Sequence, residues 1–292
     1  MQFKEIFVAG SGFMGAGIAQ TCAMYGLKVV MYDISETIVN KSLENIKTLM
    51  NKLVSKGKMT AEECSAAIAR ISVTTDIADA RNADMVIEAA PEKLEIKKDL
   101  FARLDTVCKP EAILATNTSS LPITAMAGVT KRPDKVIGTH FFSPVPLMKL
   151  CEIVMGYTTS EDTYEKTVAF AKQIHKETIR AFDKGGFVVD RMLNLFLNEA
   201  ANLLEEGVGT VEDIDNGCKW GLNHPMGPLE LMDLVGCDIT LAVMETLYDE
   251  YKDPRYRPST LLKTMVRAGH CGRKSGIGFY DYRDGTQKPI KR

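Results

Sequence analysis

The stretch VAGSGFMGAGIAQ, residues 8–20, follows a short apolar run near the start of the chain. It places Gly10, Gly12 and Gly15 in the spacing G-x-G-x-x-G, where a strand would end and a helix begin. In that spacing the first glycine allows a tight turn, the second lets backbone N–H groups approach a pyrophosphate, and the third lets the helix pack against the strand. The stretch therefore predicts a phosphate-binding turn at the N-terminus of a helix.

A second apolar run, KVVMY at 28–32, is followed directly by Asp33. Asp33 comes after Gly15 at close to the spacing of about 20 residues expected for a ribose-binding acid. Its carboxylate can accept hydrogen bonds from both ribose hydroxyls and would repel a 2′-phosphate, and no arginine follows at 34 or 35. We therefore expect NAD as the cofactor, and not NADP. The alternative is a strand-ending aspartate in an α/β protein that binds no nucleotide.

The composition is that of an ordinary globular protein. The chain has 292 residues, enough for two domains of about 150 residues each, with 45% hydrophobic and 25% charged residues. A net charge of −2 argues against a nucleic-acid partner. A local basic patch could still bind a phosphorylated ligand.

The expected location is the cytoplasm. Lys4 and Glu5 interrupt the opening apolar run, so no signal peptide is indicated, and no run approaches the length of about 20 residues that spans a membrane. The seven cysteines form no C-x-x-C pair, which is typical of reduced thiols. The four histidines lack ligand spacing, so no metal site is expected.

Residues 35–70 are too long for a simple crossover and predict an inserted helical hairpin. The turn would lie near Gly57, and the second helix would start at Thr60 with Glu63 completing a capping box. Five lysines recur along this segment: Lys41, Lys47, Lys52, Lys56 and Lys58. They are either a solvated helix face or a surface that binds a polyphosphorylated ligand.

Short apolar runs alternate with helical patterns after the hairpin. The runs are 71–74, 84–89, 112–116 and 135–142. Strands that alternate with helices predict a parallel, doubly wound sheet, in which ligands bind at the carboxyl ends of the strands. Those ends carry Glu92, the polar run 117–120 and His140.

His140 is followed, across a proline-rich turn, by a second β-like run that carries Glu152. If the two runs pair, the imidazole and the carboxylate can meet. A histidine whose Nδ1–H is held by a carboxylate has a fixed tautomer and a more basic second nitrogen, which suits reversible proton transfer near neutral pH. The alternative is a purely structural His–Glu hydrogen bond.

The domain boundary is predicted at 184, after a helix at 160–175 and a last strand at 178–182. Residues 1–184 would form a Rossmann-type NAD-binding domain, and residues 185–292 an all-helical substrate and dimerisation domain. The segment 188–204 is apolar nearly all round, so we expect a helix that is buried in its own domain or against a second subunit. Further helices are expected at 211–220, 229–247 and 261–268. So much apolar surface favours a homodimer or a higher homo-oligomer.

Together, several motifs are specific to one family. They are GSGFMGAGIAQ, VIEAAPE (86–92), ATNTSSLPIT (115–124), GTHFFSPVPLMKL (138–150), EEGVGTVEDID (205–215), NHPMGPLELMDLVG (223–236) and MVRAGHCGRKSGIGFYDY (265–282). Through them the chain resembles the L-3-hydroxyacyl-CoA dehydrogenases, and among these the short, stand-alone 3-hydroxybutyryl-CoA dehydrogenases of bacteria. The resemblance covers essentially the whole chain.

The resemblance implies an NAD-linked interconversion of a 3-hydroxyacyl-CoA and a 3-ketoacyl-CoA. His140 would exchange the hydroxyl proton, Glu152 would orient His140, and Ser119 would hydrogen-bond the substrate oxygen. Lys52 and Lys56, with Lys56 the best single candidate, would contact the CoA phosphates. The cofactor would lie against Gly10, Gly12, Phe13, Met14, Gly15, Asp33, Glu92, Lys97, Asn117, Ser119 and His140.

Two positions depart from the family pattern. Ser143 and Asp190 stand where the family has asparagines, and the asparagine replaced by Asp190 is catalytic. An ionised aspartate cannot donate a hydrogen bond, and losing one such donor costs about 10²–10³ in rate. The alternatives to a fully active enzyme are a weakened enzyme, one adapted to another acyl group, or a non-catalytic binder of NAD and acyl-CoA. A substitution introduced in the laboratory is a further alternative.

Overall fold

The structure is a computed structural model that describes residues 3–290. The chain divides into two compact units, Met1–Lys184 and Gly185–Arg292. Each unit has hydrophobic clusters of its own, formed by side chains from that unit alone. Each is therefore a separate packing unit.

One eight-stranded sheet forms the centre of the first unit. Its strands are β1 Glu5–Ala9, β2 Lys28–Tyr32, β3 Ile71–Thr74, β4 Met85–Glu88, β5 Ile113–Thr116, β6 Val136–Phe141, β7 Leu150–Met155 and β8 Glu177–Phe182. Their order across the sheet is β3-β2-β1-β4-β5-β6-β7-β8, and β1 to β6 pair in parallel. The predicted Rossmann-type α/β fold is confirmed.

The sheet is mixed, whereas the sequence predicted a parallel one. β7 runs antiparallel to β6, and β8 runs parallel to β7. Only residues 142–149 connect β6 to β7, which is too short for the crossover that a parallel pair needs. The pairing that we predicted for these two runs therefore gives an antiparallel pair at this side of the sheet.

Six helices accompany the sheet. They are α1 Phe13–Met24, α2 Glu36–Ser55, α3 Ala61–Ile68, α4 Leu94–Val107, α5 Ile123–Ala127 and α6 Glu161–Gln173. α2 and α3 form the inserted hairpin, and Gly57 turns between them with φ of 64°. Glu63 N donates to the Thr60 hydroxyl at 3.1 Å, and Thr60 N donates to Glu63 Oε2 at 2.9 Å, so the predicted capping box is confirmed.

The second unit is helical, as predicted. Its helices are α7 Val189–Glu205, α8 Val211–Gly221, α9 Pro228–Val235, α10 Cys237–Tyr251 and α11 Thr260–Arg267. A two-stranded antiparallel ribbon, β9 Tyr280–Asp281 with β10 Lys288–Pro289, was not predicted.

The continuous helix predicted over 229–247 is wrong. α9 ends at Val235 and α10 begins at Cys237, because Gly236 between them has φ of 113°, far outside the helical region. A Cβ there would lie 2.9 Å from Asp238 Oδ1. The apolar periodicity continues across the break, so periodicity alone could not show it.

The helix predicted to be apolar nearly all round is amphipathic instead. Leu197 and Ala201 of α7 are buried in the core of the second unit, whereas Met192 is 63% exposed in the single chain. Polar residues share the buried side, and Asn198 Oδ1 accepts a hydrogen bond from Ser259 N at 2.7 Å. α7 therefore packs along one face within its own unit.

Among residues 3–290, none of the helices combines the length and the apolar character needed to cross a lipid bilayer.

Candidate active site

The glycine turn connects β1 to α1 and is fixed by close backbone contacts. Gly10 has φ of 108°, and a Cβ there would lie 2.5 Å from Ala89 O. A Cβ on Gly15 would lie 1.8 Å from Gly10 O. A Cβ on Gly12 would meet no protein atom within 4 Å. Gly10 and Gly15 are therefore required by the fold, while the space beside Gly12 is open, as a cofactor phosphate requires.

The N-terminus of α1 is suited to an anion. Gly12 is its N-cap and makes no side-chain capping bond, and the first turn carries no acidic residue. Its first backbone N–H groups therefore point out of the helix without a side-chain acceptor. Phe13, in this turn, is 74% exposed, whereas the Met14 side chain packs against the hydrophobic core. These features fit a bound dinucleotide.

Asp33 holds the glycine turn as well as the end of β2. Its Oδ2 accepts hydrogen bonds from the backbone N–H and the hydroxyl of Ser11, at 3.0 and 2.8 Å. The Ser42 hydroxyl of α2 donates to Ser11 O at 2.5 Å. Oδ1 of Asp33 accepts only a long bond, 3.4 Å, from Ser35 N among the described residues. Oδ1 is therefore the oxygen best placed to accept from a ribose.

His140 and Glu152 are register partners on β6 and β7. His140 Nδ1 lies 2.7 Å from Glu152 Oε2, and the two side chains are 8% and 0% exposed. The Phe142 ring lies against the imidazole, with centroids 4.5 Å apart. A buried carboxylate at this distance fixes Nδ1 as the protonated nitrogen of the neutral imidazole, so the basic nitrogen is Nε2.

Asn117 joins the ends of three neighbouring strands. Its backbone N–H donates to Glu88 O of β4 at 2.8 Å. Its side-chain Oδ1 accepts from Phe141 N, next to His140, at 2.9 Å. Asn117 thus places the loop after β5 beside the end of β6 that carries His140. Ser119 lies two positions further along this loop.

Glu92 and the buried Lys97 belong to a hydrogen-bonded network that the sequence did not reveal. Lys97 is 1% exposed, and its ammonium lies 2.7 Å from Glu88 Oε1 and 3.2 Å from Glu92 Oε2. Glu92 Oε1 accepts hydrogen bonds from the Thr118 hydroxyl and, at 3.2 Å, from Ser119 N. The one signal that could have pointed to Glu88 is a charged residue at the end of an otherwise apolar strand.

A groove of about 880 Å³ runs beside the glycine turn, within the size range of small-ligand sites. Its walls come from the glycine turn, from α1, from one face of α2 and from the turn after β6. Lys41 and Lys52 lie on its α2 wall. Lys56, one helical turn beyond Lys52, is exposed and is the C-cap residue of α2. The geometry therefore favours Lys41 and Lys52 over Lys56 as neighbours of a ligand in this groove.

Lys176, just before β8, supports the turn that forms another wall of the groove. Its ammonium donates to Val145 O at 2.5 Å and to Met148 O at 2.7 Å, and the residue is 6% exposed. Burial lowers the pKa of Lys176 below its ordinary value of 10.5. No motif in the sequence points to this lysine, because its acceptors are backbone carbonyls.

The two departures from the family pattern lie in different units. Ser143 is exposed in the turn after β6, in the first unit. Asp190 lies in the first turn of α7, in the second unit, and is half-buried. Its backbone carbonyl accepts a hydrogen bond from Asn194 Nδ2 at 2.8 Å.

Family models match nearly the whole chain. Residues 5–184 match the NAD binding domain of 3-hydroxyacyl-CoA dehydrogenase, and residues 186–282 match the C-terminal domain of the same enzyme.

Individual relatives agree with this match. The chain is 46% identical to a probable 3-hydroxybutyryl-CoA dehydrogenase of Bacillus subtilis over 98% of this chain and 100% of the relative. It is 42% identical to a 3-hydroxyadipyl-CoA dehydrogenase of Escherichia coli, over 96% of this chain and 59% of the relative. The crystal structure of an (S)-3-hydroxybutyryl-CoA dehydrogenase from Ralstonia eutropha has a TM-score of 0.94 and 44% identity, covering 96% of this chain and 99% of that chain. The protein therefore belongs to the 3-hydroxyacyl-CoA dehydrogenase family, with NAD as its cofactor.

Proposed function

We propose that the protein interconverts a 3-hydroxyacyl-CoA and the corresponding 3-ketoacyl-CoA through a His140–Glu152 acid/base pair, with 3-hydroxybutyryl-CoA and acetoacetyl-CoA as the substrate pair. The observation that carries this proposal is the 2.7 Å contact between His140 Nδ1 and Glu152 Oε2. It lies at the carboxyl-end edge of the sheet that also holds the glycine turn, where ligands of such sheets bind. NAD, when bound, supplies the hydride acceptor for oxidation and, as NADH, the hydride donor for reduction.

His140 moves the proton. In oxidation, Nε2 takes the proton of the substrate hydroxyl while the C3–H bond breaks, hydrogen leaves carbon 3 with both electrons, and the C–O bond becomes C=O. Glu152 holds Nδ1–H and stabilises the imidazolium that forms. In reduction, the imidazolium returns the proton to the oxygen.

Ser119 and Asn117 complete the proposed site in the first unit. Ser119 would donate its hydroxyl hydrogen bond to the substrate oxygen, and Asn117, which already contacts Phe141 N, would lie beside the cofactor. Glu92 and Asp33 would bind the cofactor at its polar groups. The protein would select NAD over NADP because Asp33 would repel a 2′-phosphate.

The groove beside α2 would take the CoA part of the substrate. Its walls are mainly apolar, with Leu49 and Leu147 among the lining residues, which suits a pantetheine arm. Lys41 and Lys52 would pair with CoA phosphates. Lys56, the best candidate from the sequence, would contact a phosphate only where the ligand extends beyond the groove.

The acyl group is the least constrained part of the proposal. The relatives include enzymes named for 3-hydroxybutyryl-CoA and for 3-hydroxyadipyl-CoA. The choice of the four-carbon substrate rests on the relative named for 3-hydroxybutyryl-CoA, whose full length this chain matches.

A specific residue supports a second candidate function. Asp190 replaces a family asparagine and, when ionised, can only accept hydrogen bonds. A protein that binds NAD and acyl-CoA without turnover is therefore the alternative.

The deciding test is the loss of NADH absorbance with acetoacetyl-CoA, run beside NADPH on the same preparation. Rapid loss with NADH alone supports the dehydrogenase and the role of Asp33. No loss with either cofactor, while NADH still binds, rejects acetoacetyl-CoA reduction and favours either another acyl group or the non-catalytic binder. Repeating the assay with 3-ketoadipyl-CoA separates these two outcomes.

The second unit would contribute substrate contacts and the contacts of a homodimer. In the single chain it exposes several large apolar side chains: Met192, Val208, Trp220 and Leu222. Association of two copies would cover such side chains. Light scattering coupled to size exclusion tests this directly, since a monomeric mass at micromolar concentration contradicts it.

A further inference from the structure

A buried ion pair lies beneath the loop that carries Ser119. Glu88 ends β4 and is 0% exposed, and its Oε1 is 2.7 Å from Lys97 Nζ of α4. Oε1 also accepts from Ala90 N at 2.5 Å, and Oε2 accepts from the Thr116 hydroxyl at 2.6 Å. Each carboxylate oxygen of Glu88 therefore has a partner, so the position of its charge is fixed by three different elements of the chain.

Lys97 connects Glu88 to Glu92. Its ammonium also donates to Ala90 O at 3.3 Å and lies 3.2 Å from Glu92 Oε2. The Glu92 side chain is 41% exposed, so without Lys97 several rotamers would be open to it. Because Lys97 holds Oε2, Oε1 points toward the loop after β5.

Glu92 and Thr118 then shape that loop. Glu92 Oε1 accepts from the Thr118 hydroxyl and from Ser119 N. The same hydroxyl oxygen accepts from Ser120 N at 3.3 Å and Leu121 N at 2.9 Å. The backbone N–H groups of residues 119, 120 and 121 are thus held by one carboxylate and one hydroxyl.

We propose that Glu88 is a positioning residue that fixes Ser119 through the Lys97 ammonium, Glu92 and Thr118. The proposal rests on the proposed function, in which the Ser119 hydroxyl meets the substrate oxygen. A buried ion pair contributes little net stability compared with an apolar pair of the same shape. The Glu88–Lys97 pair instead sets the orientation of the Glu92 side chain. In that orientation Glu92 Oε1 accepts from both the Thr118 hydroxyl and Ser119 N.

The experiment compares four variants of the full chain. Glu88→Gln keeps the shape but removes the buried charge, and Thr118→Val removes the hydroxyl that links Glu92 to the loop. Thr118→Ser restores that hydroxyl. The matched control is Asp105→Asn, at the other end of α4, where a 5%-exposed carboxylate pairs with Arg132 at 2.7 Å.

The kinetic readout separates positioning from stability. Glu88→Gln and Thr118→Val should lower kcat with acetoacetyl-CoA by about tenfold to a hundredfold, the effect of a small misplacement of a reacting group. In the proposed function Glu92 also binds the cofactor, so Glu88→Gln should raise the KM for NADH as well, and Thr118→Ser should keep the wild-type kcat. Asp105→Asn should lower the melting temperature but keep kcat. An equal loss of kcat in Asp105→Asn, or wild-type kcat in Glu88→Gln and Thr118→Val, would overturn the proposal.

Hydrogen exchange provides a readout that needs no turnover. Amides 119–121 donate to Glu92 and Thr118, so a peptide that covers them should exchange faster in Glu88→Gln and Thr118→Val than in wild type or Asp105→Asn. Unchanged exchange overturns the positioning role even if the wild-type protein proves inactive. An inactive wild type that shows the expected exchange instead counts against the proposed function alone.

Discussion

His140 and Glu152 face each other across two antiparallel strands, and the histidine Nδ1 lies 2.7 Å from a fully buried carboxylate oxygen. A carboxylate that accepts from Nδ1–H sets the tautomer and the orientation of the imidazole. The two members of the proposed proton-transfer pair can be tested separately.

His140→Ala should abolish turnover of acetoacetyl-CoA, and Glu152→Gln should reduce kcat by about 10²–10⁴-fold, the range attributed to general acid–base catalysis. NADH binding, followed by fluorescence titration, should persist in both. His175→Asn is the control, since His175 is exposed and its φ of 57° is tolerated by asparagine. Substantial residual activity in His140→Ala would show that another group is the base.

Asp190→Asn should raise kcat with acetoacetyl-CoA by about 10–10²-fold, because an amide can donate a hydrogen bond to developing negative charge and an ionised carboxylate cannot. Steady-state rates measured at several pH values check this. An unchanged rate would remove position 190 from the mechanism.

Lys52→Met and Lys41→Met should each raise the KM for acetoacetyl-CoA by about tenfold, equivalent to about 1.4 kcal/mol of lost binding. Neither substitution should change the KM for acetoacetyl-pantetheine, which lacks the nucleotide phosphates. Lys47→Met is the control, since Lys47 pairs with Glu44 at 2.7 Å and is not among the residues that line the groove. An equal rise in KM in Lys47→Met would show that the lysines act only through the overall positive charge of α2.

Lys176→Met should change how stability depends on pH. Burial holds the pKa of Lys176 below 10.5 in the folded protein, with the thiols of Cys22 and Cys151 opposing the shift. Between the lowered pKa and 10.5 the unfolded chain binds more protons, so the free energy of unfolding contributed by this group increases with pH. This contribution to the free energy of unfolding is complete above pH 10.5 and is lost as the pH falls through the folded-state pKa.

Urea unfolding of wild type and Lys176→Met at a series of neutral to alkaline pH values measures this contribution. The difference between their free energies of unfolding should change with pH in the stated direction. Lys172→Met, a substitution of an exposed lysine on α6, controls for the loss of a surface charge. A difference that stays constant with pH would contradict the lowered pKa.

The features predicted from the sequence were those with short-range signals. The glycine turn and Asp33 follow fixed spacings, and the two strands that carry His140 and Glu152 can only pair as a hairpin across their short connection. The same locality explains the confirmed capping box of Thr60 and Glu63.

The features that the sequence did not reveal depend on tertiary contacts. Glu88 and Lys97 meet because β4 and α4 pack together, and Lys176 meets carbonyls about 30 residues away along the chain. The break at Gly236 leaves the apolar periodicity intact, so only the backbone geometry shows it. The amphipathic character of α7 was hidden because its buried face carries asparagines that bond to backbone groups.

The hydrogen bonds from Ser11 to Asp33 limit how this protein could be redesigned to use NADP. Replacing Asp33 with a neutral residue would remove the repulsion of a 2′-phosphate, but it would also leave the buried Ser11 N–H and hydroxyl without their acceptor. The glycine turn, which is proposed to hold the pyrophosphate, would loosen at the same time as the selectivity changed. An engineered switch of coenzyme therefore needs two substitutions. The change at position 33 must be combined with a change at position 11 that removes the need for the Asp33 carboxylate as a hydrogen-bond acceptor.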